Sequence, residues 1–142
     1  MKLLLWHCRE LNYKDTMPSD RPHGIAKVQS ERKSGHFVDV LAVFVSIEDI
    51  DTEHEVDEAT DSIISTLDML GCRKEVVIIP FAHLSKALAE PQKAVLLIAD
   101  LKERLESYGI ATSVTSFGYH KEFSLDYKAF GHPGSVAFRS FP

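Results

Sequence analysis

The stretch "VVIIPFAHLS", residues 76–85, opens as an unbroken apolar run and closes on a histidine. A run with no alternation reads as a strand covered on both faces, the kind that parallel sheets contain. Helical periodicity lies on both sides of it. That arrangement predicts β-α-β-α connections, each a right-handed crossover between parallel strands. His83 then stands just past the carboxyl end of a strand, where α/β sheets tend to present loops and free backbone N–H groups to ligands.

Upstream, Val56, Ala59, Ile63, Leu67 and Leu70 recur at three and four residues, with Asp51 or Thr52 placed as N-cap and Gly71 just past the end. Downstream, Pro91 suits a first helical turn, and Ala94, Leu97, Leu101, Leu105 and Tyr108 form a stripe that Gly109 ends. "KLLLWHC" at 2–8 reads as a buried strand in the middle of a sheet, and "HFVDVLAVFVSIED" at 36–49 as a long strand entering the core. Between them, residues 15–34 carry two prolines, a glycine and mixed charges, which predicts a partly disordered surface excursion. After the second helix, "IATSVTSFG", "KEFSLDYKA" and "SVAFRSF" read as three strands. In the middle one, Phe123, Leu125 and Tyr127 alternate with Ser124, Asp126 and Lys128. The fold class predicted is α/β, a mixed β-sheet covered by two main helices.

With 142 residues, 44% of them hydrophobic and 26% charged, the chain fits one globular domain over 1–142. There is no repeat, low-complexity tract or internal linker. Nothing approaches the roughly 18 apolar residues of a membrane span, and "MKLLLW" breaks at His7-Cys8-Arg9-Glu10 before a signal-peptide core can form. The expectation is a cytoplasmic protein without a membrane partner. A net charge of −5 offers no overall basic footprint for nucleic acid. Cys8 and Cys72 lack the partners that a disulfide scaffold or a zinc site requires, so both read as buried thiols. The chain stops just after a strand-like run, which predicts a piece of something longer.

Three segments put titratable groups straight after apolar runs: 80–83 "PFAH", 116–121 "SFGYHK" and 131–134 "GHPG". Each has a plain structural reading. His83 could be a hydrogen-bonded cap, Lys121 a solvated edge residue and His132 a turn residue. The seven histidines include no HxH or HExxH pair, so no metal site is predicted. Adjacent His7 and Cys8 point to opposite faces of a strand and do not form a nucleophile-base pair. No P-loop, GxGxxG or GxSxG occurs.

Together, "LLLWHC", "PFAHLS" at 80–85, "SFGYHKEF" at 116–123 and "GHP" at 131–133 resemble the N-terminal editing domain of archaeal threonyl-tRNA synthetases, over essentially the whole chain. The resemblance implies a fold like D-aminoacyl-tRNA deacylase and a homodimer. It implies hydrolysis of serine wrongly attached to threonine tRNA, with no cofactor. It also implies a synthetase catalytic domain acting in cis or in trans, with this module meeting the 3′ aminoacylated end of tRNA(Thr).

Such an activity has a physical reason. Serine lacks only threonine's methyl group, and one methyl discriminates by roughly 10 to 200-fold, so a second check is needed. By position, the family's catalytic residues fall on Lys121 and His83. Its substrate-binding residues fall on Val45, Pro80, Phe81, Ala82, Phe117, Gly118, Tyr119 and His120. Lys121 would polarise the ester or hold a catalytic water, and His83 would meet the terminal ribose. Water would be the nucleophile, oriented by main-chain N–H groups and the substrate's 2′-hydroxyl.

Two positions depart from the resemblance. His120 stands where a tyrosine is expected, and Val136 where a glutamate is expected; Glu122 or Asp126 could supply the missing carboxylate beside Lys121. The competing readings are a freestanding D-aminoacyl-tRNA deacylase and a non-catalytic dimerisation or ligand-binding module of the same fold.

Overall fold

The computed structural model describes residues 1–71, 75–127 and 135–141. Cys72, Lys128 and the GHP segment with His132 lie outside the described residues. Among the described residues, six strands and two long helices follow the expected order: β1 (Lys2–Pro18), β2 (Ser34–Ser46), α1 (Glu53–Met69), β3 (Glu75–Pro80), α2 (Pro91–Ser107), β4 (Thr112–Val114), β5 (Tyr119–Tyr127) and β6 (Val136–Ser140). The sheet order is β4-β3-β2-β1-β5, with β6 also on β1, so the N-terminal strand does run through the middle. β2, β3 and β4 are parallel, while β1 is antiparallel to β2, β5 and β6.

Local chemistry explains the helices. Thr52 caps α1 in a capping box: its hydroxyl accepts the His54 amide, and the Glu55 carboxylate accepts the Thr52 amide. Pro91 occupies the first turn of α2. The buried stripe of α2 runs Ile98, Leu101, Leu105, while Tyr108, expected in that stripe, is 57% exposed. No helix among the described residues is long and apolar enough to cross a membrane.

Both helices cover one face of the sheet. Val56, Ala59, Ile63 and Leu67 of α1 and Ile98, Leu101 and Leu105 of α2 pack on Leu3, Leu5, Leu41, Val43, Val45, Val76 and Ile78. The other face of β3 is buried too, but against the sheet itself. Val77 and Ile79 share a second core with Cys8, Leu11, Val40, Ala42 and Phe44, joined by Phe123 and Leu125 of β5.

A break in alternation lets the sheet curl over in this way. The β1–β5 register slips between Cys8 and Glu10, and on β2 the facing Asp39 adopts a left-handed φ of 55°. Such a bulge shifts every later side chain to the opposite face. Before it, Leu3 and Leu5 meet the helices; beyond it, Leu11, Tyr13 and Asp15 face the second core.

Two expectations change as a result. Residues up to Pro18 belong to β1, and the rest of the supposed loose excursion is strapped down by hydrogen bonds from Ser19, Gln29, Ser30 and Lys33. β4 has only three residues, because Thr115 leaves the β3 ladder after donating to the Ile78 carbonyl at 2.9 Å and the chain crosses to β5.

Candidate active site

Two groups of side chains converge near the carboxyl ends of β2 and β3. The first is the turn after β3. Pro80 sits opposite Val45 in the ladder, and the Phe81 amide donates to the Val45 carbonyl at 2.9 Å. Ala82–Leu84 form one 3-10 turn, with Ala82 and His83 exposed and the His83 ring edge-on to Phe81 at 5.1 Å. The Val45 side chain is buried among the helices, so it offers the site only its backbone.

This turn is held by Ser46 and Glu48. The Ser46 hydroxyl donates to the Phe81 carbonyl and accepts the Leu84 amide. Ser85 donates to Glu48 at 2.5 Å, and Glu48 accepts the buried Met1 amine at 2.9 Å. The same amine also pairs with Asp51. Burial disfavours charge on Glu48. The Ser85 hydroxyl, the Met1 amine and Lys2 outweigh that and hold its carboxyl below the usual range.

The second group is segment 115–121. Phe117 packs against the main core, and Gly118 has φ 88°, where a Cβ would lie 2.4 Å from Gln29 Cγ. Gln29 Nε2 donates to the Gly118 carbonyl at 3.0 Å, and Arg32 lies over the Tyr119 ring at 5.8 Å. His120 is exposed and, by strand alternation, faces away from Lys121. Lys121 points inward with its side chain 5% exposed. Its ammonium donates to the Ser116 carbonyl at 2.7 Å and the Tyr119 carbonyl at 3.4 Å, and lies 3.2 Å from Asp15 Oδ1.

Asp15 is the residue that the sequence reading missed. It lies directly across from Lys121 in the β1–β5 ladder with its side chain fully buried. Its other oxygen accepts the Lys33 amide at 2.7 Å and the Ser116 hydroxyl. Burial works against its charge, but Ser116, Lys33 and Lys121 together hold the carboxyl below its ordinary value. Burial pulls the Lys121 ammonium down, and Asp15 offsets part of that. Burial, with Asp15 beside it, pushes the Tyr13 phenol up. Tyr13 reaches this position because Gly35 opposes it, where a Cβ would come within 2.5 Å of the ring.

The substitutes expected for the carboxylate do not reach Lys121. Glu122 is exposed on the other face of β5, and Asp126 lies 3.7 Å from Arg9. Val136 sits opposite Trp6, toward the other end of β1 from Asp15.

A chain of rings connects the two groups. Phe123, two residues from Lys121 on the same face, contacts Phe44 at 5.6 Å; Phe44 contacts Phe81 at 5.3 Å, and Phe81 meets His83. A concavity of about 530 Å³ near Asn12, Gly35, His36 and Glu122 contains none of the expected catalytic or substrate-binding residues. His54, Glu55 and Glu58 bring three ligand atoms together, but Glu55 is engaged in the helix cap. The buried Cys8 thiol is pushed up to about 11 by desolvation and Asp126, which leaves it a poor nucleophile.

Comparison with known proteins bears on what this arrangement is for. Residues 1–141 match the model of the archaea-specific editing domain of threonyl-tRNA synthetase. The chain belongs to that family. Threonine--tRNA ligase of Thermofilum pendens is 33% identical over 142 residues, covering 99% of this chain and 22% of the ligase. The Thermococcus onnurineus ligase is 34% identical over 139 residues, covering 94% and 21%, and that of Methanobrevibacter smithii 30% over 143, covering 99% and 22%. The editing domain thus spans about a fifth of the length of these curated relatives. A solved c-Myc DNA Unwinding Element Binding Protein superposes with a TM-score of 0.70 over 100% of this chain and 99% of its own, at 11% identity, a likeness of fold. The mixed six-stranded sheet with two main helices is the D-aminoacyl-tRNA deacylase-like fold.

Proposed function

We propose that this editing domain removes serine from mischarged Ser-tRNA(Thr) and spares Thr-tRNA(Thr), as one part of a longer synthetase or as a separate chain serving one. Family membership over residues 1–141 is the observation that carries the reading. A water molecule attacks the ester carbonyl carbon. The bond to the ribose oxygen breaks, that oxygen takes a proton, and free serine and uncharged tRNA leave. Main-chain N–H groups and the substrate's 2′-hydroxyl orient water and stabilise the oxyanion.

Lys121 supplies positive charge beside the ester, and the substrate displaces its longest contact, the one to Tyr119 at 3.4 Å. His83, exposed on its turn, meets the terminal ribose. Pro80, Phe81, Ala82, Phe117, Gly118 and Tyr119 line the substrate, and His120 contributes through its backbone. The reaction is proposed to need no metal or cofactor, and the domain to act in the cytoplasm as a homodimer. The exposed Val136 and Phe138 on one face of β6 are compatible with a partner copy.

One observation favours a second reading, a non-catalytic ligand-binding module: the Lys121 ammonium is almost fully buried and already has three partners. Release of amino acid from Ser-tRNA(Thr), Thr-tRNA(Thr) and a D-aminoacyl-tRNA decides between them. Fast loss of serine that Lys121→Met abolishes, with threonine retained, is expected. Spontaneous rates for all three esters would sink the editing reading, and preferential loss of the D-amino acid would make the chain a chiral deacylase.

A further inference from the structure

We propose that Asp15 is a positioning residue of the editing reaction: from β1 it anchors the Lys121 ammonium against segment 116–119. This rests on the reading that Lys121 serves hydrolysis. The bulge after Cys8 turns Asp15 inward, and the ladder places it directly opposite Lys121. The two side chains are 0% and 5% exposed and 3.2 Å apart. A buried ammonium without a counter-charge would shed its proton or reach for water. Asp15 is itself fixed, since its other oxygen takes the Lys33 amide and the Ser116 hydroxyl. Ser116 therefore ties both ends of the pair, donating its hydroxyl to Asp15 and accepting Lys121 at its carbonyl.

The groups facing this ammonium come from several elements. β1 contributes Asp15, with the Tyr13 phenol next along the same face. Segment 115–118 contributes the Ser116 carbonyl, and β5 the Tyr119 carbonyl, while Glu122 and His120 point away. From the 19–33 strap, Lys33 approaches Asp15 through its amide and Arg32 covers Tyr119.

The test is Asp15→Asn in this chain beside Lys121→Met, read by serine release from Ser-tRNA(Thr) across pH and by NMR titration of 13C-labelled lysine. Asp15→Asn should slow release about tenfold to a hundredfold with KM little changed. It should also lower the Lys121 pKa, so that the remaining activity fades at lower pH than in the wild type. Asp15→Glu, which keeps the charge, should recover part of the rate.

If Lys121→Met is inactive while Asp15→Asn keeps the wild-type rate and pH profile, Asp15 has no such role and the editing reading stands. If Lys121→Met hydrolyses normally, the reading of Lys121 fails and the proposal falls with it. Should Asp15→Asn not fold, Ser116→Ala removes one of the two donors that hold Asp15 against Lys121. A slower rate with a shifted pH profile is then expected, and a wild-type profile overturns the proposal.

Discussion

The Ser46 hydroxyl at the end of β2 donates to the carbonyl of Phe81, and the same oxygen accepts the Leu84 amide at 3.2 Å, so one side chain closes the turn that carries His83. Ser46→Ala leaves both backbone groups without that partner. A loss of about 1–3 kcal/mol is expected in urea unfolding, together with slower serine release. Unchanged stability would mean that the turn holds itself.

Gly118 combines a φ of 88° with a contact that leaves no room for a methyl group. Gly118→Ala should therefore cost about 1–2 kcal/mol in backbone strain alone, and it should push Gln29 off the Gly118 carbonyl. Hydrogen exchange at Ser30 should speed up in this variant, since the strap is tied down there. Wild-type exchange and melting temperature would refute the clash.

Lys121→Met leaves the Asp15 carboxylate buried beside a thioether. Breaking a buried pair costs about 3–5 kcal/mol, and the donors from Ser116 and Lys33 that remain argue for the lower end. Asp15→Asn combined with Lys121→Met should regain stability relative to Lys121→Met alone. Additive losses in that cycle would show that the two side chains are not coupled.

Asp15 and Glu48 both hold their protons less tightly in the fold than an ordinary carboxyl does. The native state thus binds fewer protons than the unfolded chain around the ordinary carboxylate value of about 4. Their contribution is complete above that value and is lost as pH falls through the lowered native ones. The urea midpoint should accordingly drop in acid, and Glu48→Gln should make the drop shallower. A midpoint that does not change across this window would contradict the assignment.

The sequence by itself determined both helices, the order of the elements and the central place of the first strand. Capping residues, a 3.6-residue period and continuous apolar runs are local signals, legible in a single chain. The segments around His83 and Lys121 were legible in the same way, through short motifs that follow strands. The tertiary structure alone decided that β3's second cover is the curled sheet rather than a helix. It also decided that Phe44 joins Phe81 to Phe123, and that Asp15 meets Lys121. All three depend on the parity switch at the bulge beyond Cys8 and at Asp39, because a one-residue slip moves every following side chain to the other face. No local period announces that slip, so Asp15 read as the start of a loop while the fold makes it the partner of a lysine 106 positions along the chain.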